Sequence, residues 1–150
     1  IQVKVETQFT AVAATLTTAL TGTNNDLLFT AVTKGPRGND ITIRYVDPGT
    51  PSASLSVSVS DNAITVNLAT DGASVITSTA AQVSAAIAAN ADAAARVTAA
   101  NAPGNDGTGV VTAMPATPLT GGVGADYVAV EGVEVEYEVV LESMTTGSNK

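Results

Sequence analysis

Apolar and polar positions alternate with a period of two over most of this chain. In "IQVKVETQF", Ile1, Val3, Val5, Thr7 and Phe9 fall on one side, and Gln2, Lys4, Glu6 and Gln8 on the other, as in a half-buried strand. "AVAATLTTALTG" has no firm period, but its threonines favour extended backbone. "DLLFTAVT" and "ITIRYVD" predict two strands joined by "KGPRGND", where Gly35 and Gly38 permit positive φ and Pro36 pre-sets a turn. "SLSVSVS" alternates strictly, with Leu55, Val57 and Val59 on one face. After the turn "DNA", "ITVNLAT" returns with Ile64, Val66 and Leu68, which predicts a β-hairpin. "VVTAMPATPLTGGVG" predicts a short edge strand, because Pro115 and Pro118 have no N–H for a central ladder. "DYVAVEGVEVEYEVVLES" reads as a long β segment with a bulge at Gly132. It places Val133, Val135, Tyr137 and Val139 on one face and Glu134, Glu136 and Glu138 on the other.

One stretch breaks the two-residue rhythm. In "TSTAAQVSAAIAANADAAARVTAA", Val83 and Ile87 are four apart and share a helical face. Ser78 or Thr79 can cap its start, with Gln82 near the position of a capping-box partner. Asn90 is expected to end the first helix, and Asp92 to cap a shorter one carrying Val97. The expected fold is α+β and mainly antiparallel β. One helical excursion over about residues 78–100 packs on a sheet, and the terminal strands form a second sheet or an extension. The 150 residues suit a single domain, which at this size buries roughly 68–70% of its unfolded surface. Its core module is expected over about 21–122, with strands in 1–20 and 123–145 as the extension and 146–150 as a loose tail.

Composition narrows the chemistry. The chain has no cysteine and no histidine, which removes thiolate zinc sites, disulfides and the usual nucleophile–histidine triads. Charged residues make up 13%, against roughly 25% in an ordinary domain, which suits a subunit that hides surface in an assembly. The net charge of −8 argues against a nucleic-acid partner. No apolar run approaches the roughly 20 residues of a membrane span, so no membrane association is expected. The start lacks the layout of a signal peptide, which points to a soluble protein made in the cytoplasm.

The charges are polarised along the chain. Lys34, Arg37 and Arg44 are three of its six cations, and Glu131, Glu134, Glu136, Glu138 and Glu142 are five of its six glutamates. The glycine-rich "KGPRGND" lacks the Lys-Ser/Thr pair of a phosphate loop and is not G-x-G-x-x-G. It reads as a turn presenting positive charge to a neighbour. Glutamates two apart on one strand face repel each other unless a cation faces them. Lys34, Arg37 and Arg44 are therefore candidate interface residues on the basic side, and Glu134, Glu136 and Glu138 on the acidic side. "NND", "GND" and "GNDG" read as turns, since Asn and Asp are the standard turn residues, and strand-spaced glutamates do not converge like a calcium loop. Asp26, Asp40, Asp47 and Asp106 could be paired in a glycosidase, but the chain has no tryptophan and few aromatic platforms for sugar. No catalytic residue, metal or cofactor is expected.

"NNDLLFTAVTKGPRGNDITIRYVDPG", the "STAAQVSAAI" helix start and the closing "LTGG" carry a resemblance over about residues 21–122. The chain resembles a module of tailed-bacteriophage virion proteins, and "KGPRGND" is faintly similar to a turn in contractile-tail sheath proteins. The resemblance implies a non-enzymatic structural component of a phage head or tail. A capsid decoration or cementing protein is favoured, with major capsid protein or other virion proteins as partners, homo-oligomeric and located in the virion. Alternatives are a tail protein (tube, sheath-associated or terminator) and a host- or glycan-binding module of a fibre.

Overall fold

The computed structural model describes residues 10–124. Of the terminal strands expected in 1–20 and 123–145, residues 1–9 and 125–145 lie outside these, as do the tail 146–150 and the acidic trio Glu134, Glu136 and Glu138. Among the described residues seven strands form two sheets. The first sheet is antiparallel, in the order β1–β2–β6, from Thr15–Thr17, Leu27–Ala31 and Val97–Asn101. The second has the order β4–β5–β3–β7, from Ser56–Ser60, Ala63–Asn67, Thr42–Val46 and Met114–Pro118. It is mixed, because β3 runs parallel to β5. The fold is α+β and mostly β, as the sequence pattern indicates.

Alternation sets which side chains go inside. Leu27, Phe29 and Ala31 of β2 are buried, while the residues between them are half-exposed. In β3 Ile43 and Tyr45 are buried and Arg44 is exposed; in β5 Ile64 and Val66 are buried. The inner faces of both sheets join one apolar cluster with Val83, Ile87, Val97, Val111 and Leu119. Phe29 and Tyr45, one from each sheet, meet edge to face with ring centroids 6.5 Å apart, a favoured aromatic geometry.

The "SVSVS" segment forms the expected hairpin with β5, Ser58 facing Thr65 across the ladder. Asp61 takes φ 52° in the turn, a conformation Asp tolerates better than most residues. Strand β7 is the expected edge, bonded only to β3 within its sheet.

The helical region is shorter than the sequence suggests. Helix α1 spans Ala80–Ala89 and α2 only Ala91–Ala94. Residues 97–100, placed by their alanine-rich context in the excursion, belong to strand β6. Val97 belongs to that strand, and the cap of α2 is Asn90 rather than Asp92. Pairing along the whole of β2, from Leu27↔Asn101 to Ala31↔Val97, outweighs the weak helical preference of "VTAAN". The start of α1 is as read: Thr79 Oγ1 accepts from Gln82 N–H, and the Thr79 N–H donates to Gln82 Oε1 at 2.9 Å, a complete capping box.

The helices close one flank of the sandwich, where the sheets end in β4 and β6. Unpaired strand edges expose carbonyls that need donors. Ser84 Oγ of α1 donates to the Ala99 carbonyl of β6 at 2.7 Å. Asn90 Nδ2 donates to the Val57 carbonyl of β4 at 3.1 Å, while its Oδ1 accepts the Ala93 N–H at 3.0 Å. One side chain thus caps α2 and clasps the far sheet. Asn90→Ala should lower unfolding free energy by about 1–3 kcal/mol, through loss of a cap and of a carbonyl's donor. Asn90→Asp keeps the cap acceptor but has no donor for Val57, and should recover only part. Urea titration of the three proteins measures both steps.

The other flank is closed by backbone. Thr15 and Thr120 exchange N–H···O bonds of 2.8 and 2.9 Å, and Val12 and Val123 bonds of 2.8 and 3.3 Å. The two ends of the described residues therefore lie side by side.

Candidate interaction surfaces

The turn "KGPRGND" folds as a 3-10 helix over Pro36–Asp40. Gly38 is buried in it, and a Cβ there would stand 2.9 Å from the Cβ atoms of both Ala14 and Ala31, closer than packed carbons approach. The missing side chain lets the turn sit directly on β2 and the segment before β1. Asn39 fixes it further: its Nδ2 donates to the Gly122 carbonyl and its Oδ1 accepts the Gly122 N–H, both at 2.9 Å.

This anchoring distributes the sequence-predicted cations. Lys34 is exposed ahead of the 3-10 helix. Arg37 lines a shallow hollow of about 320 Å3 together with Thr33, Asp40, Asn62 and Arg96. Arg44, exposed on the outer face of β3, lines a separate hollow of about 330 Å3 beside Asp47, Met114 and Pro115. The residue that joins Arg37 is Arg96, which sequence reasoning missed. No local signal marks it, because the two are 59 positions apart. They are brought near by the N–H of Val32 donating to the Arg96 carbonyl at 2.9 Å, an extra rung at the end of the β2–β6 ladder.

The aspartates work locally. Asp26 Oδ1 accepts from Thr18 Oγ1 at 3.0 Å and from the Leu20 N–H at 2.8 Å. Asp47 accepts the Gly49 N–H at 2.9 Å, an Asx turn. Asp106 accepts both the hydroxyl and the N–H of Thr108, at 2.6 and 2.9 Å. These two bonds, the hydroxyl's first, hold its carboxyl below the ordinary range. Asp40 stands in the hollow with Arg37 and Arg96. Among the described residues no group of three acidic side chains is placed to hold a metal ion, and no helix is long and apolar enough to cross a membrane.

Beyond these, Asn25 is a buried polar anchor. Its Nδ2 donates to the Thr21 carbonyl at 2.9 Å and to the Val110 carbonyl at 3.0 Å, so it ties two loops that are 85 residues apart along the chain. Tyr45 is buried with a hydroxyl that has no hydrogen-bond partner. Burial, and then the negative charge of Asp26, push its ionisation well above the ordinary tyrosine value of 10.0. The folded protein therefore holds the Tyr45 proton at a pH where the unfolded chain releases it, so stability should fall as pH rises above about 10. Tyr45→Phe should remove that contribution to the alkaline loss. At pH 7 it should be neutral or stabilising by about 0.5–2 kcal/mol, because no bond is broken and a polar group leaves the core. Thermal unfolding of both proteins between pH 7 and 11 measures the two effects.

Exposed apolar surface is concentrated in valines. Val12 and Val123, paired near the two ends of the described residues, are 49% and 56% exposed, and Val32, Val75 and Val110 are exposed elsewhere. No family model, no curated protein and no solved structure matches this chain.

Proposed function

We propose that the protein is a non-enzymatic structural component of a tailed-phage virion, acting through contacts between subunits, with a capsid decoration or cementing role favoured. The observation that supports this reading is an exposed apolar pair at one end of the described body. Val12 and Val123 pair near the two ends of the described residues, and both side chains are about half-exposed there. A body with a pair of exposed apolar side chains at one point is suited to seating on a larger body there. The resemblance of "GNDITI", "YVDPG", "STAAQVSAAI" and "LTGG" to phage virion modules supports the same reading. Its partners would be the major capsid protein or other virion proteins, together with copies of itself.

The test is location and binding. Antibody labelling of intact virions should mark the head, and purified protein added to bare capsids should bind saturably. Label confined to the tail would move the assignment to a tail protein. No label on particles and no binding would end the virion reading.

A further inference from the structure

The outer face of the second sheet is almost free of charge. Its four strands read SVSVS, AITVN, TIRYV and MPATP, and Arg44 is the one charged residue among them. Ser58, Thr65 and Arg44 stand in one row across β4, β5 and β3, with Ser60, Ala63 and Thr42 in the next. Short side chains make such a face flat enough for a second sheet to lie against it, at the usual spacing of about 10 Å. A long guanidinium on that face would then lose water, and a desolvated charge needs a counter-charge.

Arg44 also has an opening beside it. Strand β7 pairs Thr117 with Ile43 and Met114 with Tyr45, so Pro115 and Ala116 together stand opposite Arg44. The hollow of about 330 Å3 that Arg44 shares with Asp47, Met114 and Pro115 lies at this bulge. Arg44 and Asp47 are both exposed, yet among the described residues the Arg44 guanidinium has no hydrogen bond and no ion pair. Asp47 engages Oδ1 with the Gly49 N–H, which leaves its second carboxylate oxygen as an acceptor.

A patch that holds one cation and one anion, not paired with each other, is complementary to itself. Turned about a two-fold axis between them, a second copy sets its aspartate against the arginine and its arginine against the aspartate, as an isologous contact requires. We infer that the outer face of the second sheet joins two copies of this chain as a two-fold dimer, with Arg44 of each copy paired to Asp47 of the other across the hollow. Met114 and Pro115 give the pair an apolar floor. The inference rests on the assembly reading above and gives it a contact made wholly by described residues.

Sedimentation velocity of the full chain tests it. The unaltered protein should dimerise, less so as NaCl rises, since salt screens such contacts. Arg44→Asp and Asp47→Arg should each weaken dimerisation at least about tenfold, because like charges then meet at both contacts. An equimolar mixture of the two variants should form a mixed dimer, since each contact again joins an arginine to an aspartate. A single chain carrying both changes should dimerise by itself. Circular dichroism verifies folding. If a reversal unfolds the protein, Arg44→Gln and Asp47→Asn take its place and should also weaken the dimer; the second keeps an acceptor for the Gly49 N–H.

An unaltered protein that stays monomeric would overturn the inference. So would association that neither reversal weakens, or a mixture and a doubly changed chain that do not recover. Binding to bare capsids by a chain that never self-associates would refute this contact and leave the virion reading standing. Dimerisation that follows the charge pattern, without any binding to capsids, would support the contact and remove the virion reading.

Discussion

Phe29→Ala should cost the fold about 3–5 kcal/mol, the range for removing a buried aromatic ring from a core that relaxes only partly. Phe29 has no exposed surface and sits in the middle strand of the first sheet, with its ring edge-on to Tyr45 of the second. Truncation removes buried apolar area and the one aromatic contact that spans the two sheets among the described residues. Neighbours can do little to fill the space, since β1 and β6 flank it on a hydrogen-bonded ladder. Phe29→Leu should cost roughly half as much or less, because most of the volume is retained. Denaturant unfolding monitored by circular dichroism gives both values. A loss under about 1 kcal/mol for the alanine variant would mean that the sheets do not depend on this contact.

Gly109→Ala should cost about 2–4 kcal/mol although it adds only one methyl group. A Cβ at Gly109 would run into the backbone carbonyl of Thr23 and stand 2.8 Å from the carbonyl carbon of Asn24. Neither obstacle can rotate away as a side chain could. To make room, the two loops must separate, which strains the Gly109 N–H bond to the Asn24 carbonyl at 2.9 Å and the Ala80 N–H bond to the Gly109 carbonyl at 3.0 Å. Disturbing two such bonds in a packed node carries the estimated cost. The Asn25 bond to Val110 spans the same gap, so Asn25→Ala combined with Gly109→Ala should cost less than the sum of the two single changes. Unfolding free energies of the four proteins form the cycle that shows this coupling. A surface glycine such as Gly72, with nothing near its Cβ position, serves as the neutral control.

Local chemistry made much of the fold legible. Strict serine–valine alternation located β4, two prolines marked β7 as an edge, and Thr79 with Gln82 marked the first turn of α1. What escaped depends on distant partners. The parallel pairing of β3 with β5 leaves no local trace, because β4 lies between them in sequence but outside them in the sheet. Strand β6 was hidden in alanine-rich sequence whose own preference is helical, and only its ladder with β2 decides otherwise. The cationic hollow was half visible. The clustered Lys34, Arg37 and Arg44 drew attention to the turn, but strand alternation turns Arg44 onto the outer sheet face while Arg96 comes from just beyond α2. The burial of Asn25 and Tyr45 likewise depends on tertiary packing. "TNND" reads as an ordinary turn and "ITIRYVD" as an ordinary strand.

The pairing of the two ends of the described residues has a mechanical consequence. Tension pulling those ends apart would act on the Val12–Val123 rung first and reach Thr15–Thr120 only after it opens. The load would be met one rung at a time, as in a zip fastener, rather than shared along a ladder under shear. These two rungs would give way at low force while the Phe29–Tyr45 interior stayed closed, and would re-form when the pull ceased.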